Sequence, residues 1–290
     1  MTNAVPTQSD KAGVRNFWDI ASCGEDLYLK GFTGDDYRTH SRIRYELEPE
    51  ILEFGEFSRF AGKKTLEIGV GLGSDHQRLA EAGAVLNGVD LTPRAIGHTR
   101  RRFELLGLAS KLQVADAEAL PFADGEFDAV YSWGVLHHTP DTDKAVSEVF
   151  RVLKPGGFAK IMIYHKYALV GYMLWLRYAL LRGRPWTSLD TIYDQYLESP
   201  GTKAYSVRQA RELFRDFDVK SLRTHMTHAD LLTSEAGQRH RGNMLRVAKA
   251  LWPRALLKYA LAGHGLELMI ECEKPSAAPT EPRRESIMES

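Results

Sequence analysis

The chain has 290 residues, 43% of them hydrophobic, so it can bury a real core as one large domain or two small ones. Its 38 basic and 38 acidic residues cancel, which excludes a global field drawing it to nucleic acid or membrane and leaves only local charge to do so. Two cysteines, Cys23 and Cys272, show neither metal nor redox spacing, which fits a reducing compartment; with no signal-peptide core in the first 30 residues, a cytoplasmic protein is expected.

Taken in chain order, residues 1–12 read as a disordered start. Residues 14–29 take a helical pattern with Phe17, Trp18, Ile20, Ala21, Leu27 and Tyr28 available to one side, and a second helical stretch covers 37–60, interrupted at Pro49. Thr65, Leu66 and Ile68 then form a short apolar run that reads as a buried strand. Gly69, Gly71 and Gly73 are its sharp exit, and 74–82 the helix that follows. A second strand ends at Asp90. Thr92 is placed as N-cap and Pro93 as first residue of a helix running to about 106. Arg94, Arg100, Arg101 and Arg102 on that helix read as a solvated face. Further strands are expected at 112–115, 127–132 and 158–163, with a helix at 142–153 closed by Lys154-Pro155-Gly156-Gly157. Alternating strands and helices argue for a parallel sheet covered on both faces. Residues 167–181 read as an apolar helix. At 15 residues, with Arg177 inside it, it falls short of the roughly 18–20 needed to cross a bilayer. A capped helix (206–215), a strand (219–227), a basic helical insertion (228–263), a last strand (266–272) and a disordered tail from 276 complete the chain.

The glycine turn carries the first functional signal. A dinucleotide fingerprint would be G-x-G-x-x-G, but here the spacing is G-x-G-x-G, with Glu67 two residues before the first glycine and Asp90 twenty-one residues after it. An acid at the end of the second strand can accept from both hydroxyls of a ribose. Residues 66–73 resemble the first motif of class I S-adenosylmethionine (SAM) methyltransferases. The stretches 116–122 (DAEALPF), 127–138 (FDAVYSWGVLHH) and 151–157 (RVLKPGG) resemble later motifs of the same family, in the same order. The branch resembled is the ubiquinone/menaquinone-type group of small-molecule methyltransferases, over about residues 60–165. The resemblance implies a Rossmann-like α/β fold: a seven-stranded, mostly parallel sheet with helices on both faces, an antiparallel last strand and helical lid insertions. It implies an N-terminal helical lid over 1–60 and a SAM-binding domain over 61–275, with insertions at about 165–205 and 228–263. SAM would be held by Glu67, Gly69, Gly71, Gly73, Asp90, Leu91, Asp116, Ala117 and Trp133, with Asp116 accepting from the adenine amino group. The Asn-Pro-Pro-Tyr-type motif of many amino-group methylators is absent after the fourth strand, where Ser132-Trp133-Gly134-Val135 stands, and no basic stripe covers the sheet domain, so nucleic acid is not the expected partner.

Methyl transfer is an in-line displacement, and a base is needed only where the acceptor carries a proton to remove. Ligands sit outside the carboxyl ends of the strands, which selects His137, His138 and His165 as candidate bases, His137 first. Tyr164, on the same side, and Trp175, Tyr28 and Tyr37 are candidate acceptor contacts; Tyr28 and Tyr37, with Tyr45, are also candidate lid residues. No metal is expected, since no carboxylate or cysteine is spaced to join these histidines; His225, His228 and His240 read as surface or loop-bracing. From His165 to Leu189 there are five basic residues and no acid, and from Ala236 to Leu266 six basic residues, again with no acid. An apolar wall with cationic groups suits an amphiphilic small molecule and equally a peripheral contact with an anionic membrane. Packing of 167–181 as a lid or a homodimer face is the plainer alternative.

Overall fold

A computed structural model describes residues 11–22, 24–233 and 254–276. Residues 1–10 of the expected disordered start, 277–290 of the tail, and Arg239, His240, Arg241, Arg246 and Lys249 of the basic insertion lie outside these residues, whereas Lys11 and Ala12, also expected to be disordered, open the first helix.

One sheet of seven strands organises the chain, in the order β3-β2-β1-β4-β5-β7-β6. The strands are β1 (Lys64–Ile68), β2 (Val85–Asp90), β3 (Lys111–Val114), β4 (Phe127–Trp133), β5 (Leu153–Tyr164), β6 (Asp218–His225) and β7 (Glu267–Glu273). The first five run parallel, and β7 lies antiparallel between β5 and β6. Helices α5 (Ser74–Glu81), α6 (Pro93–Leu106) and α7 (Thr142–Val152) cross over between the parallel strands. The side-chain alternation of a strand divides the sheet into two unlike faces. On one, Leu66, Ile68, Val130, Ile161, Ile163, Leu268 and Ile270 pack under α7 and α10 (Val207–Leu213) as an apolar core. The opposite face carries polar groups. Strand register sets Glu67, Tyr131, Lys160 and Glu271 in one row, and Tyr164, Glu267 and His225 in another.

That polar face is covered by the N-terminal helices α1 (Lys11–Ile20), α2 (Glu25–Tyr28), α3 (Gly34–Leu47) and α4 (Glu50–Gly55). The expected helix over 14–29 is two pieces, because Gly24 takes a positive φ of 74°. Thr33 and Asp36 form a capping box that starts α3. Two buried cations, Arg102 and Lys160, and the half-buried Arg44 tie this cap to the body. Arg102 donates to Ser41 Oγ, Ser74 Oγ and the Tyr37 carbonyl at 2.8–3.1 Å. Arg44 pairs with Asp75 at 3.1 Å, and Lys160 donates to the Phe54 carbonyl, Glu56 and Glu271 at 2.6–3.2 Å. Arg102 therefore does not belong to a solvated face: it is fully buried, and α3 supplies the oxygens that replace its water. Arg94 is likewise engaged, with Glu25 and the Asp19 side chain around it.

Two further differences from the expected elements have local causes. Residues 154–157 do not end α7 as a separate turn; they belong to β5, whose pairing with β4 jumps from Leu153 to Phe158 through an irregularity. The apolar stretch 167–181 is a shorter helix, α8 (Leu169–Tyr178), followed by a 3-10 turn, and packs on α9 (Leu189–Tyr196). Gly171 makes that packing possible: a Cβ there would lie 2.1 Å from the Tyr193 hydroxyl. Leu176, Leu180, Leu181 and Trp186 remain exposed on this insertion.

Candidate cofactor and acceptor site

A cavity of about 170 Å³ opens at the carboxyl ends of β1, β2 and β4, under α1 and α3. Its floor is the glycine turn. Gly69 has φ 84° and Gly73 φ 76°, and each is also sterically required: a Cβ on Gly69 would lie 2.1 Å from Val135 Cγ2, and one on Gly73 2.9 Å from Thr99 Oγ1. Gly71 differs. A Cβ there would meet no protein atom within 4 Å, and Gly71 lines the cavity, so its missing side chain leaves space for a ligand against the backbone.

Asp90 stands at the second strand's end with its carboxylate already oriented. One oxygen accepts from the Gly71 N–H at 3.2 Å, the other from Thr92 N–H and Oγ at 2.9 Å each. Burial pushes its carboxyl up and these backbone and hydroxyl donors pull it back. Glu67 also lines the cavity and shares a 2.7 Å hydrogen bond with His76 Nδ1, whose Nε2 meets Ser110 Oγ at 2.8 Å. Burial, then the nearby Asp75 and Asp90 charges, hold Glu67 well above the carboxylate range, and burial brings His76 down to about 3. Beside this pair Asp75 gathers Arg44, Tyr45 Oη (2.9 Å) and Tyr131 Oη (3.2 Å).

Leu91, Asp116, Ala117 and Trp133 line the same cavity, so all nine residues expected to hold the cofactor fall around one space except Gly73, which shapes the turn from behind. At the far end Lys11 of α1 reaches Asp116 and lies 2.8 Å from Glu118. The donor set suits SAM: ribose-ready carboxylate oxygens at Asp90, a side-chain-free approach at Gly71, and an acid, Asp116, at the opposite end for an amino group.

The three candidate bases separate. His138 lines the cavity; its Nδ1 meets Ser199 Oγ at 2.9 Å and Thr202 Oγ1 at 3.1 Å, and its Nε2 lies 3.3 Å from Glu198 Oε2. Glu198 accepts from the Tyr164 hydroxyl at 2.9 Å, and the Trp18 ring stands edge-on to His138 at 5.3 Å. His137 is fully buried behind it, its ring tilted at 38° against Tyr164 with centroids 4.0 Å apart, and neither nitrogen has a hydrogen-bond partner among the described residues. Burial, then His138 and Lys203, hold its imidazole well below the usual value. His165 turns to the Gly265 carbonyl at 3.1 Å and lies outside the cavity wall. Among the proposed acceptor contacts, Tyr37 bonds His98, Tyr164 bonds Glu198 and Trp175 donates to the Thr187 carbonyl; these three and Tyr28 stand outside the wall. Sequence reasoning missed Lys11, Arg44, Glu198, Ser199 and Thr202, which come from segments with no motif. Trp18, seen only as part of a helix face, lines the cavity.

Residues 66–161 match the family model described as a methyltransferase domain, Methyltransf_11. This stretch is a class I SAM-dependent methyltransferase domain, and SAM is its cofactor. The chain is 37% identical over 127 residues to demethylmenaquinone methyltransferase of Thermus thermophilus, covering 39% of this chain and 58% of the relative. It is 32% identical over 173 residues to the chloroplastic tocopherol O-methyltransferase of Arabidopsis thaliana, covering 53% and 49%. A match of 36% over 118 residues to phosphoethanolamine N-methyltransferase 2 of Caenorhabditis elegans covers 40% of this chain and 26% of that one. The chain thus spans between about a quarter and three fifths of the length of these curated relatives. In fold it is similar to a SAM-dependent methyltransferase from Methanosarcina mazei (TM-score 0.53, 18% identity, 77% of this chain and 98% of that one). It is also similar to the [4+2]-cyclase SpnF (TM-score 0.52, 19% identity, 83% of each chain).

Proposed function

We propose that this chain is a SAM-dependent methyltransferase that moves a methyl group to an oxygen or carbon of a small lipophilic or aromatic metabolite, with residues 1–60 acting as a lid over the site. The observation that carries the acceptor side is His138, set in the cavity wall between Trp18 and the Glu198 carboxylate. Bound SAM supplies an electrophilic methyl on a sulfonium. The chain's part is to hold an acceptor in line, exclude water under α1 and α3, and take a proton where the acceptor carries one. In this reading the Ser199 and Thr202 hydroxyls accept from His138 Nδ1, the acceptor's hydroxyl comes between Nε2 and Glu198 Oε2, now 3.3 Å apart, to give its proton to Nε2, and Glu198 stabilises the resulting imidazolium. Val14, Trp18 and Trp133 in the wall favour an apolar acceptor, and the exposed Leu180, Leu181 and Trp186 beside Arg177, Arg182 and Arg184 favour an amphiphilic one.

Labelled methyl from SAM, offered with extract of the native host and partitioned between organic solvent and water, tests the class: label in the organic phase supports a lipophilic acceptor, and label in water overturns it. His138→Gln should lower turnover by about 10²–10⁴-fold with SAM affinity unchanged. Unaltered turnover would remove His138 as the base. SAM bound with no transfer to any fraction would turn the reading toward non-methylating chemistry in the same site.

A further inference from the structure

Glu50 at the start of α4, His225 at the end of β6 and Glu267 at the start of β7 meet at the rim of the polar sheet face. One ligand-type atom from each lies within 4.8 Å of the other two. His225 Nδ1 stands 3.4 Å from Glu267 Oε2 and 3.8 Å from Glu50 Oε1. Glu50 and Glu267 are at least nine-tenths buried and close enough for their carboxyl groups to act on each other, and among the described residues Glu50 Oε1, Glu267 Oε2 and His225 Nδ1 meet no hydrogen-bond donor or acceptor at good geometry. Buried carboxylate oxygens without donors are costly. Two other ties between cap and sheet close directly: Lys160 and Arg44 meet their acids at 2.6–3.2 Å.

We propose that Glu50, His225 and Glu267 bind a first-row divalent cation of the Zn²⁺ or Mn²⁺ type, which pins α4 of the N-terminal cap to the β6–β7 edge of the sheet.

The spacing supports this. Two ligands each about 2.1 Å from one ion, at a tetrahedral angle, stand about 3.4 Å apart. That is too long for an N–H···O bond and is the separation found between His225 and Glu267. Two carboxylates with one imidazole form a donor set that first-row divalent ions accept. The His225 side chain is 41% exposed, so an ion can enter from solvent and water can complete its shell. The neighbouring charges are already engaged. Arg44 and Glu48 pair at 3.3 Å, and Glu48 is also 3.7 Å from His228, so Arg44 is not spent on the cluster. The competing occupant is a proton: burial pushes both Glu50 and Glu267 upward, and a cation must displace it.

The test uses the full chain, stripped with a chelator, dialysed and titrated calorimetrically with ZnCl₂ and separately with MnCl₂, beside metal content by plasma mass spectrometry and thermal unfolding. The expected result is one ion per chain for at least one cation, with a rise in Tm of about 5 °C at a hundredfold excess over Kd. Glu267→Gln and His225→Ala should each lower affinity by more than the about 10–100-fold lost when only an outer partner of a ligand is removed, and abolish the Tm rise. His225 is partly exposed, so His225→Ala keeps the test available if Glu267→Gln does not fold; circular dichroism of each stripped variant settles which can be read. No saturable binding of either cation to the folded chain overturns the proposal and leaves the proton as occupant. Binding unchanged within about threefold in the folded variants overturns the assignment of these residues.

Discussion

At Glu67 the carboxyl and the His76 imidazole meet at 2.7 Å, and a serine hydroxyl closes the other side of the ring. At Glu267 the carboxyl and the His225 imidazole stand 3.4 Å apart, a second acid faces them, and among the described residues none closes the facing atoms with a well-formed hydrogen bond. Both pairs lie on the same face of one sheet. The first is built from a strand and the helix that follows it, nine residues apart in sequence, and one acid–imidazole hydrogen bond satisfies both side chains. The second draws on three segments brought together only by the folded chain, with two acids for one imidazole. One local pair closes itself; the long-range cluster leaves room for something else.

The largest expected effect breaks the first pair. His76 is fully buried with its imidazole brought down to about 3 by burial. Its folded value lies below the unfolded one, near 6.5, so its contribution to stability is complete above pH 6.5. It is lost as pH falls from 6.5 toward 3, on the order of 5 kcal/mol for a shift of this size. His40, also brought down to about 3 by burial and by Arg102, acts with the same sign. Chemical denaturation at a series of pH values should show wild type losing stability across that window and His76→Gln losing less. Equal slopes would mean that His76 is not held neutral.

The cofactor half can be broken next. Asp90→Ala removes the acid whose oxygens are oriented by Gly71 and Thr92. Two charge-assisted hydrogen bonds at about 1.5–3 kcal/mol each set the expected loss of SAM affinity at 10²-fold or more by calorimetry. Unchanged affinity would remove Asp90 from the cofactor site. The smallest effect is expected at Lys11. Its ammonium is partly exposed and reaches Asp116 and Glu118, and exposed pairs contribute about 1 kcal/mol or less. Lys11→Ala should therefore move SAM affinity by no more than about fivefold. A larger loss would make α1 part of the cofactor site itself; a large gain would make Lys11 a competitor for Asp116.

The cofactor half was legible in sequence because its chemistry is local. The strand, the positive-φ glycines, Asp90 at the next strand's end and the Thr92–Pro93 helix start fall in one stretch, each set by its own backbone requirement. The acceptor side was legible only as a shortlist. His137 and His138 are adjacent in sequence, and packing decides which one the cavity sees: Tyr164 packs its ring against His137, which is buried, while residues 198–202 come from a distant insertion to hold His138.

What the sequence determined by itself is the order of strands and helices, the glycine turn and the acid that faces it, since periodicity, turn chemistry and capping act over a few residues. Only the tertiary structure decided that Arg102 lies buried under α3 rather than in solvent, that α8 packs on α9 through Gly171, and that Glu50, His225 and Glu267 share one corner. Those outcomes depend on which distant segment supplies the partner for a buried charge. The penalty for leaving a charge unpaired fixes that a partner must exist, but only the folded chain fixes which residue it is.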